Sequence, residues 1–329
     1  MIAHQIHVDP DVFLIEVPFK NFATNETNCY VVCSQGEALV IDVGAPTDAG
    51  FEILKAGLEE LALDPERTSF FVTHTHLDHI GLLDRIAAPS QKVYLTARED
   101  HVMRLSQVDA WLDMIGDRMV MEGCPAAYGT IARASHEGDV FDEARHDIAL
   151  VYPGDALQVG ALSLRVVDTA GHTPGHASLY EPESGLLFGG DHILFKLSPG
   201  IEYLPGYDDA LAQYFSSLQR VRSIHPTALL HSHGPLRKGV RDRIDHLAAH
   251  HRNRLHEALR NITARPGMTG EEAVRSLTWN VPHDTWEDID IRQRRYISSE
   301  GIVYLSYLRA SHAVAREVKD GVARYYPNR

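Results

Sequence analysis

The stretch FFVTHTHLDHIGLLDR, from Phe70 to Arg85, constrains this 329-residue chain more than any other. Its apolar run Phe70-Phe71-Val72 reads as a buried strand, and His74, His76, Asp78 and His79 follow directly. On extended backbone alternate side chains point the same way, so His74 and His76 can face one ion. As the chain turns into a helix the side-chain direction changes, and Asp78 and His79 can serve a neighbouring ion. Imidazole nitrogen and carboxylate oxygen are zinc-type donors, and a catalytic zinc takes about three protein ligands plus an open position.

More such donors stand at the ends of later apolar runs. DTAGHTPGHASLY puts His172 after a strand ending at Asp168, LLFGGDHILF puts Asp191 after Leu186–Gly189, and ALLHSHGP puts His231 and His233 after Thr227–Leu230. Glycine accompanies each donor, where it permits a close backbone approach and positive φ.

The remaining pattern describes a β scaffold with helical additions. Val12–Val17, Cys29–Cys33, Ala38–Val43, Ser69–Thr73 and Val93–Thr96 carry strand signals, and Ala49–Leu63 has helical apolar spacing. Gly81–Ala87 reads as a short helix. From Arg98 to His146 the patterns are helical, which predicts an insertion on the scaffold. Strands resume at Leu162–Asp168, Ala177–Tyr180, Leu186–Gly189 and Thr227–His231, with a helix from about Asp208 to Val221 between the last two. Val240 to Ile262 is a long amphipathic stretch. Pro266-Gly267 reads as a linker, followed by a helix near Gly270–Ser276, further helices between Arg292 and Val318, and a short closing strand in GVARYYPN. The expected domains are 1–235, with the insertion at about 98–146, a connecting helix at 236–262, and a small, mostly helical domain at 263–329.

Composition narrows the function. Hydrophobic residues at 44% and charged residues at 23% are ordinary for a soluble globular protein. The formal net charge of −14 disfavours non-specific attraction to nucleic acid or anionic lipid. Cys29, Cys33 and Cys124 form no disulfide framework and no C-x-x-C, which fits a reducing compartment. The start, MIAHQIHVDPDVFLIEV, has no basic segment followed by an apolar one, and no run is long enough to span a membrane. A cytoplasmic location is expected.

The order H-x-H-x-D-H, then G-H-T-x-G-H, then G-D, then H-G-P resembles the metallo-β-lactamase-fold hydrolases, over about residues 8 to 235. The resemblance is to the branch of glyoxalase II-like and lactonase-like enzymes. It implies a four-layer αββα sandwich in the α/β class, with two metals at one edge. His74, His76 and His172 would hold the first metal, Asp78, His79 and His233 the second, and Asp191 would bridge them. Asp42, in VIDVGAP, matches an acidic position that orients ligand imidazoles. His176 reads as a helper beside the ligands or a satisfied core residue, and His192 and His231 as structural residues or supports of the ligands. His4, His7, His246, His250 and His251 read as solvent-facing or helix-capping.

The resemblance also implies the chemistry. A hydroxide between two cations attacks an electrophilic carbon or phosphorus, with Asp78 orienting it and moving its proton and Asp191 keeping the ions close. Di-iron relatives that reduce oxygen carry glutamate where this chain has His76, so two zinc ions are expected, with manganese or iron as substitutes. No G-x-S-x-G elbow offers a serine nucleophile instead. The expected substrate is a small ester, thioester or lactone, as for a hydroxyacylglutathione hydrolase. A phosphodiesterase or endoribonuclease of the same fold is the alternative, and a regulatory protein with a relic site is disfavoured by the complete donor set. Lys196 and Tyr203 are candidates for binding a substrate anion. Trp111, Met114, Met119 and Met121 either line a pocket under the insertion or pack its own core.

The segment 263–329 resembles a winged-helix-like appendage of this family. It holds ten Lys or Arg against nine Asp or Glu, so no basic nucleic-acid surface is implied. Packing, pocket shaping or a homodimer contact is its expected role, and no membrane partner is expected.

Overall fold

Period-two alternation in the strand Glu26–Ser34 builds two cores at once. Cys29 and Val31 face one side, and Tyr30 and Val32 face the other. A strand apolar on both faces must be covered on both, and this one is. The computed structural model describes residues 1–20, 24–134, 142–282 and 284–328. These form two compact units, Met1–Met103 with Asp139–Pro199 and Ser217–Ile244, and Arg104–Gly138 with Gly200–Ser216 and Asp245–Arg329.

The first unit holds two sheets. One runs in chain order through β1 (His4–Val8), β2 (Asp11–Pro18), β3 (Glu26–Ser34), β4 (Glu37–Ile41), β5 (Thr68–Phe71), β6 (Lys92–Thr96) and β7 (Asp147–Val151). The other comprises β8 (Ala156–Val159), β9 (Leu162–Asp168), β10 (Ala177–Glu181), β11 (Leu186–Gly190) and β12 (Ala228–His231), ordered β12-β11-β10-β9-β8. Tyr30, Leu39, Ile41 and Phe71 from the first sheet pack with Val166, Leu179 and Phe188 from the second. On the outer face of the first sheet, Ile15, Val17 and Val31 pack with Leu54 of the helix Asp48–Glu60. Thr47 caps that helix by accepting from the Gly50 N–H at 3.0 Å. Helix, first sheet and second sheet are thus stacked in that order, as the αββα sandwich expected from the sequence requires.

Strand direction gathers the donors. β4, β5 and β6 are parallel neighbours, so their carboxyl ends share one edge. Asp42 follows β4 and the histidine-rich loop follows β5. In the second sheet β11 and β12 are also parallel, and Asp191 and His233 follow them. Asp42 has φ 58°, a left-handed conformation uncommon for a residue other than glycine.

Several elements depart from the sequence reading. β1, with His4 and His7, is a paired strand. β8 is present in ALQV, where Leu157 and Val159 alternate into the core; at four residues it is a weak signal. The short helix expected over Gly81–Ala87 is two turns, Leu77–Ile80 and Leu83–Ile86. One 20-residue helix, Ile291–Ala310, then a strand, Val314–Lys319, replace the several helices expected between Arg292 and Val318. The Pro266-Gly267 turn leads into Met268–Thr269, which pairs with Val322–Pro327.

In the second unit the helices Asp109–Met121 and Ala127–Ala134 pack through a close approach of Gly116 and Gly129, where a Cβ on Gly129 would lie 2.9 Å from the Gly116 Cα. Trp111, Leu112, Ile115 and Ala132 form a local core, and Met119 is buried while Met114 is exposed. Residues 104–134, part of the stretch read from the sequence as an insertion, group with this unit. Glu122, fully buried, accepts from Arg118 Nε at 2.7 Å and from the Tyr325 hydroxyl at 2.9 Å. That pairing offsets the cost of burying the charge. Among the described residues no helix is long and apolar enough to cross a membrane.

Candidate metal centre

The β5 loop supplies four of the seven candidate donors, and its backbone is held by a buried carboxylate. Asp42 Oδ1 accepts from the Thr73 N–H at 2.8 Å, and Oδ2 accepts from the Thr73 hydroxyl at 2.8 Å. Asp42 Oδ2 also lies 2.8 Å from His79 Nδ1. With its proton given to Asp42, Thr73 Oγ1 is left to accept from His74 Nδ1, 3.1 Å away. His233 Nδ1 donates to the Glu26 carbonyl at 2.7 Å. In each of these imidazoles an outer partner occupies Nδ1 and directs the Nε2 lone pair inward, the arrangement used to aim histidine at a metal.

The inward atoms converge. His76 Nδ1 lies 3.0 Å from both His74 Nε2 and His172 Nε2. Asp191 Oδ1 is 3.5 Å from His79 Nε2 and 3.2 Å from His233 Nε2, and its Oδ2 is 3.6 Å from His172 Nε2. Asp78 is 3.5 Å from His233 Nε2 and 4.0 Å from His79 Nε2. Donor atoms of His74, His76 and His172 fall within 4.8 Å of one another, as do those of Asp78, His79 and His233, and those of His74, His79 and Asp191. All seven side chains singled out in the sequence are thus brought together.

The donor set fits a pair of cations. His79 Nε2 and Asp191 Oδ1 are buried and have no hydrogen-bond partner, a costly state for polar atoms unless something of opposite character stands between them. Burial and the neighbouring imidazoles push the His74 pKa well down, so it holds a lone pair rather than a charge. Burial acts the same way on His79, but Asp42, Asp191 and Asp78 outweigh it and raise its pKa to about 10. For Asp191 burial is outweighed by His233 and His79, which hold the carboxylate ionised. The pocket therefore sets ionised Asp191 against a neutral His74 and a His79 whose proton a divalent cation would displace on binding.

A family model of the metallo-beta-lactamase superfamily matches residues 24–233, well over half of the chain. The chain belongs to that superfamily. A probable metallo-hydrolase of Bacillus subtilis, YqjP, is 27% identical over 278 residues, covering 81% of this chain and 85% of the relative. The crystal structure of the metallo-beta-lactamase family protein TTHA1429 from Thermus thermophilus superposes with a TM-score of 0.80 at 26% identity, covering 96% of this chain and 98% of that one. A hydroxyacylglutathione hydrolase of Rhodobacter capsulatus is 32% identical over 156 residues, 47% of this chain and 43% of that enzyme.

The histidines around the seven candidate donors are held by bonds or by burial. His176 Nε2 accepts from the Asp191 N–H at 3.0 Å, and its Nδ1 lies 2.8 Å from Thr169 Oγ1. Both ring nitrogens are committed, so His176 fixes Asp191 from behind. A Cβ on Gly190, which has φ 51°, would sit 2.6 Å from that Nε2, so only glycine lets the strand end pass so close. His192 and His231 are buried, and burial lowers their pKa to about 3 and about 4. Asn28 donates to the His231 and Gly234 carbonyls at 3.0 and 2.9 Å, which ties β3 to the turn carrying His233.

Lys196 is exposed. Tyr203 is buried in the second unit, where its N–H donates to Ser299 Oγ at 2.9 Å and its ring packs 4.8 Å from the Arg118 guanidinium. His251 departs from the sequence reading: it is fully buried, with Nδ1 2.8 Å from the Tyr304 hydroxyl.

One residue close to the donors has no counterpart in the sequence reading. Glu99 is a fully buried carboxylate bonded to both loops that carry the first histidine triad. Its local signal, Thr96-Ala-Arg-Glu99, is that of a helix start, and Thr96 Oγ1 does accept from the Glu99 N–H at 3.1 Å. In a capping box the Glu side chain turns back to the cap residue. Here it turns to the ligand loops, which local sequence does not announce.

Proposed function

We propose that the chain is a dinuclear metal-dependent hydrolase of small esters, thioesters or lactones, working as a hydroxyacylglutathione hydrolase does. The observation that supports this most is the pair of adjoining triads, His74, His76 and His172 beside Asp78, His79 and His233, with Asp191 next to both. The similarity to a hydroxyacylglutathione hydrolase favours a thioester within that class. Five imidazoles and two carboxylates suit zinc, with manganese or iron as substitutes. The thiols of Cys29, Cys33 and Cys124 are free, which suits a reducing, cytoplasmic setting.

When bound, two divalent cations supply a water acidified toward neutral pH and a Lewis acid for the substrate oxygen. The protein's own part is positional. Asp191 reaches both triads and holds them close. Asp42, through His79 and Thr73, keeps the β5 loop in one conformation. The Asp78 carboxylate, with 23% of its side chain exposed, is open to substrate and takes the proton of the attacking water and returns it to the leaving group. A thiolate or alkoxide then departs as thiol or alcohol.

Steady-state assays on acyl-glutathione thioesters and lactones, run beside bis-p-nitrophenyl phosphate and single-stranded RNA, test this reading. The expected result is a preference for the first two of about a hundredfold or more in kcat/KM. A preference for either phosphodiester would replace it with the nuclease reading.

A further inference from the structure

Glu99 lies outside the seven donors, yet it joins the two chain segments that supply the first triad. Its Oε1 accepts from the Thr75 N–H and the Thr75 hydroxyl, each at 3.0 Å. Its Oε2 accepts from the Thr173 hydroxyl and the Gly175 N–H, each at 2.9 Å. Thr75 stands between His74 and His76, and Thr173 is next to His172. A single carboxylate therefore spans the β5 loop and the β9–β10 loop, one oxygen to each. The geometry points to Glu99 as a positioning residue that holds His172 in register with His74 and His76 and so sets the affinity of that triad for its ion.

Four further observations support this. Thr96, at the end of β6, donates its hydroxyl to the Gly175 carbonyl at 2.7 Å, so Gly175 in the second loop is held by both its N–H and its carbonyl. A Cβ on Gly175 would lie 2.2 Å from the Glu99 nitrogen, so the loop is seated against Glu99 as closely as backbone allows. Burying a carboxylate is costly, and burial does push the Glu99 pKa up against the pull of its four donors. A helix start does not need that cost, because Thr96 already caps it. Bonds from Glu99 to the second triad, Asp78, His79 and His233, do not occur among those described.

The inference rests on the dinuclear reading above, and its test separates the two. Zinc dissociation constants are measured by competition with a chromophoric chelator for the parent protein, Glu99→Gln, Glu99→Ala and Thr173→Val, with circular dichroism as the check on folding. Glu99→Gln keeps the size of the side chain but leaves an amide facing at least one backbone donor. The expected result for folded Glu99→Gln is that one of the two constants weakens about 10–100-fold while the other stays within about threefold. Thr173→Val, which removes one of the four bonds, weakens the same site by less. Glu99→Ala should equal or exceed the amide variant; should it fail to fold, Glu99→Gln and Thr173→Val decide the matter. Constants unchanged in folded variants, or weakened equally at both sites, overturn the role given to Glu99 while leaving the centre intact. A parent protein that takes up no zinc defeats the centre, and this inference with it.

Discussion

Replacing Asp191 with alanine should reduce kcat/KM by about three orders of magnitude or more, a loss of about 4 kcal/mol in transition-state stabilisation. It should also lower bound metal from two ions per chain toward one. Both effects follow from its position. Oδ1 lies between His79 and His233, and Oδ2 faces His172, so the same side chain serves both triads. Its backbone is fixed independently by His176 and by the Gly190 turn. The loss should therefore come from the missing carboxylate rather than from a collapsed loop, and circular dichroism should show a native fold. Assay and elemental analysis on the same sample check this. Undiminished activity with two ions still bound would remove Asp191 from the centre.

Asp78→Ala should lower kcat by about 10²–10⁴-fold, the range expected when a positioned acid–base group is lost. The loop itself should persist, because the Asp78 carbonyl accepts from Thr27 Oγ1 at 2.7 Å whatever the side chain is. Two measurements separate its roles. If the metal content holds and kcat falls, the carboxylate moves protons. If metal content falls in step with kcat, it acts mainly as a ligand. Full turnover would contradict both.

The candidate donors are readable from the sequence because metal-type side chains are uncommon at strand ends and here recur after several of them. Choosing His172 over His176 rests on the order of residues within GHTPGH, and the bonds to Thr169 and Asp191 supply the physical reason. Asp42 is readable for its place after an apolar run. Glu99 is not, because its partners lie more than twenty residues away on either side and only tertiary packing brings them together. Similarly, the second unit draws on three separate stretches of chain, and no local period reports which stretches share a core.

The burial of His251 is legible in the sequence, although its polarity points the other way. Ile244, Leu247, His251, Leu255, Ala258 and Ile262 recur every three or four residues along the helix Val240–Ala264, and all are buried. The histidine sits on the apolar stripe itself, which outweighs its polarity as a guide to burial. β8 shows the converse limit: its alternation is correct, but four residues are too few to separate a strand from a loop.

The most direct test of the account is the metal content of the full chain, purified without chelator and reloaded with zinc. Six donors in two triads, with Asp191 beside both, predict about two equivalents per chain, with thioester or lactone hydrolysis lost on chelation and restored on reloading. A folded chain that takes up no divalent metal, or that hydrolyses its substrate equally well after metal is stripped, would contradict it.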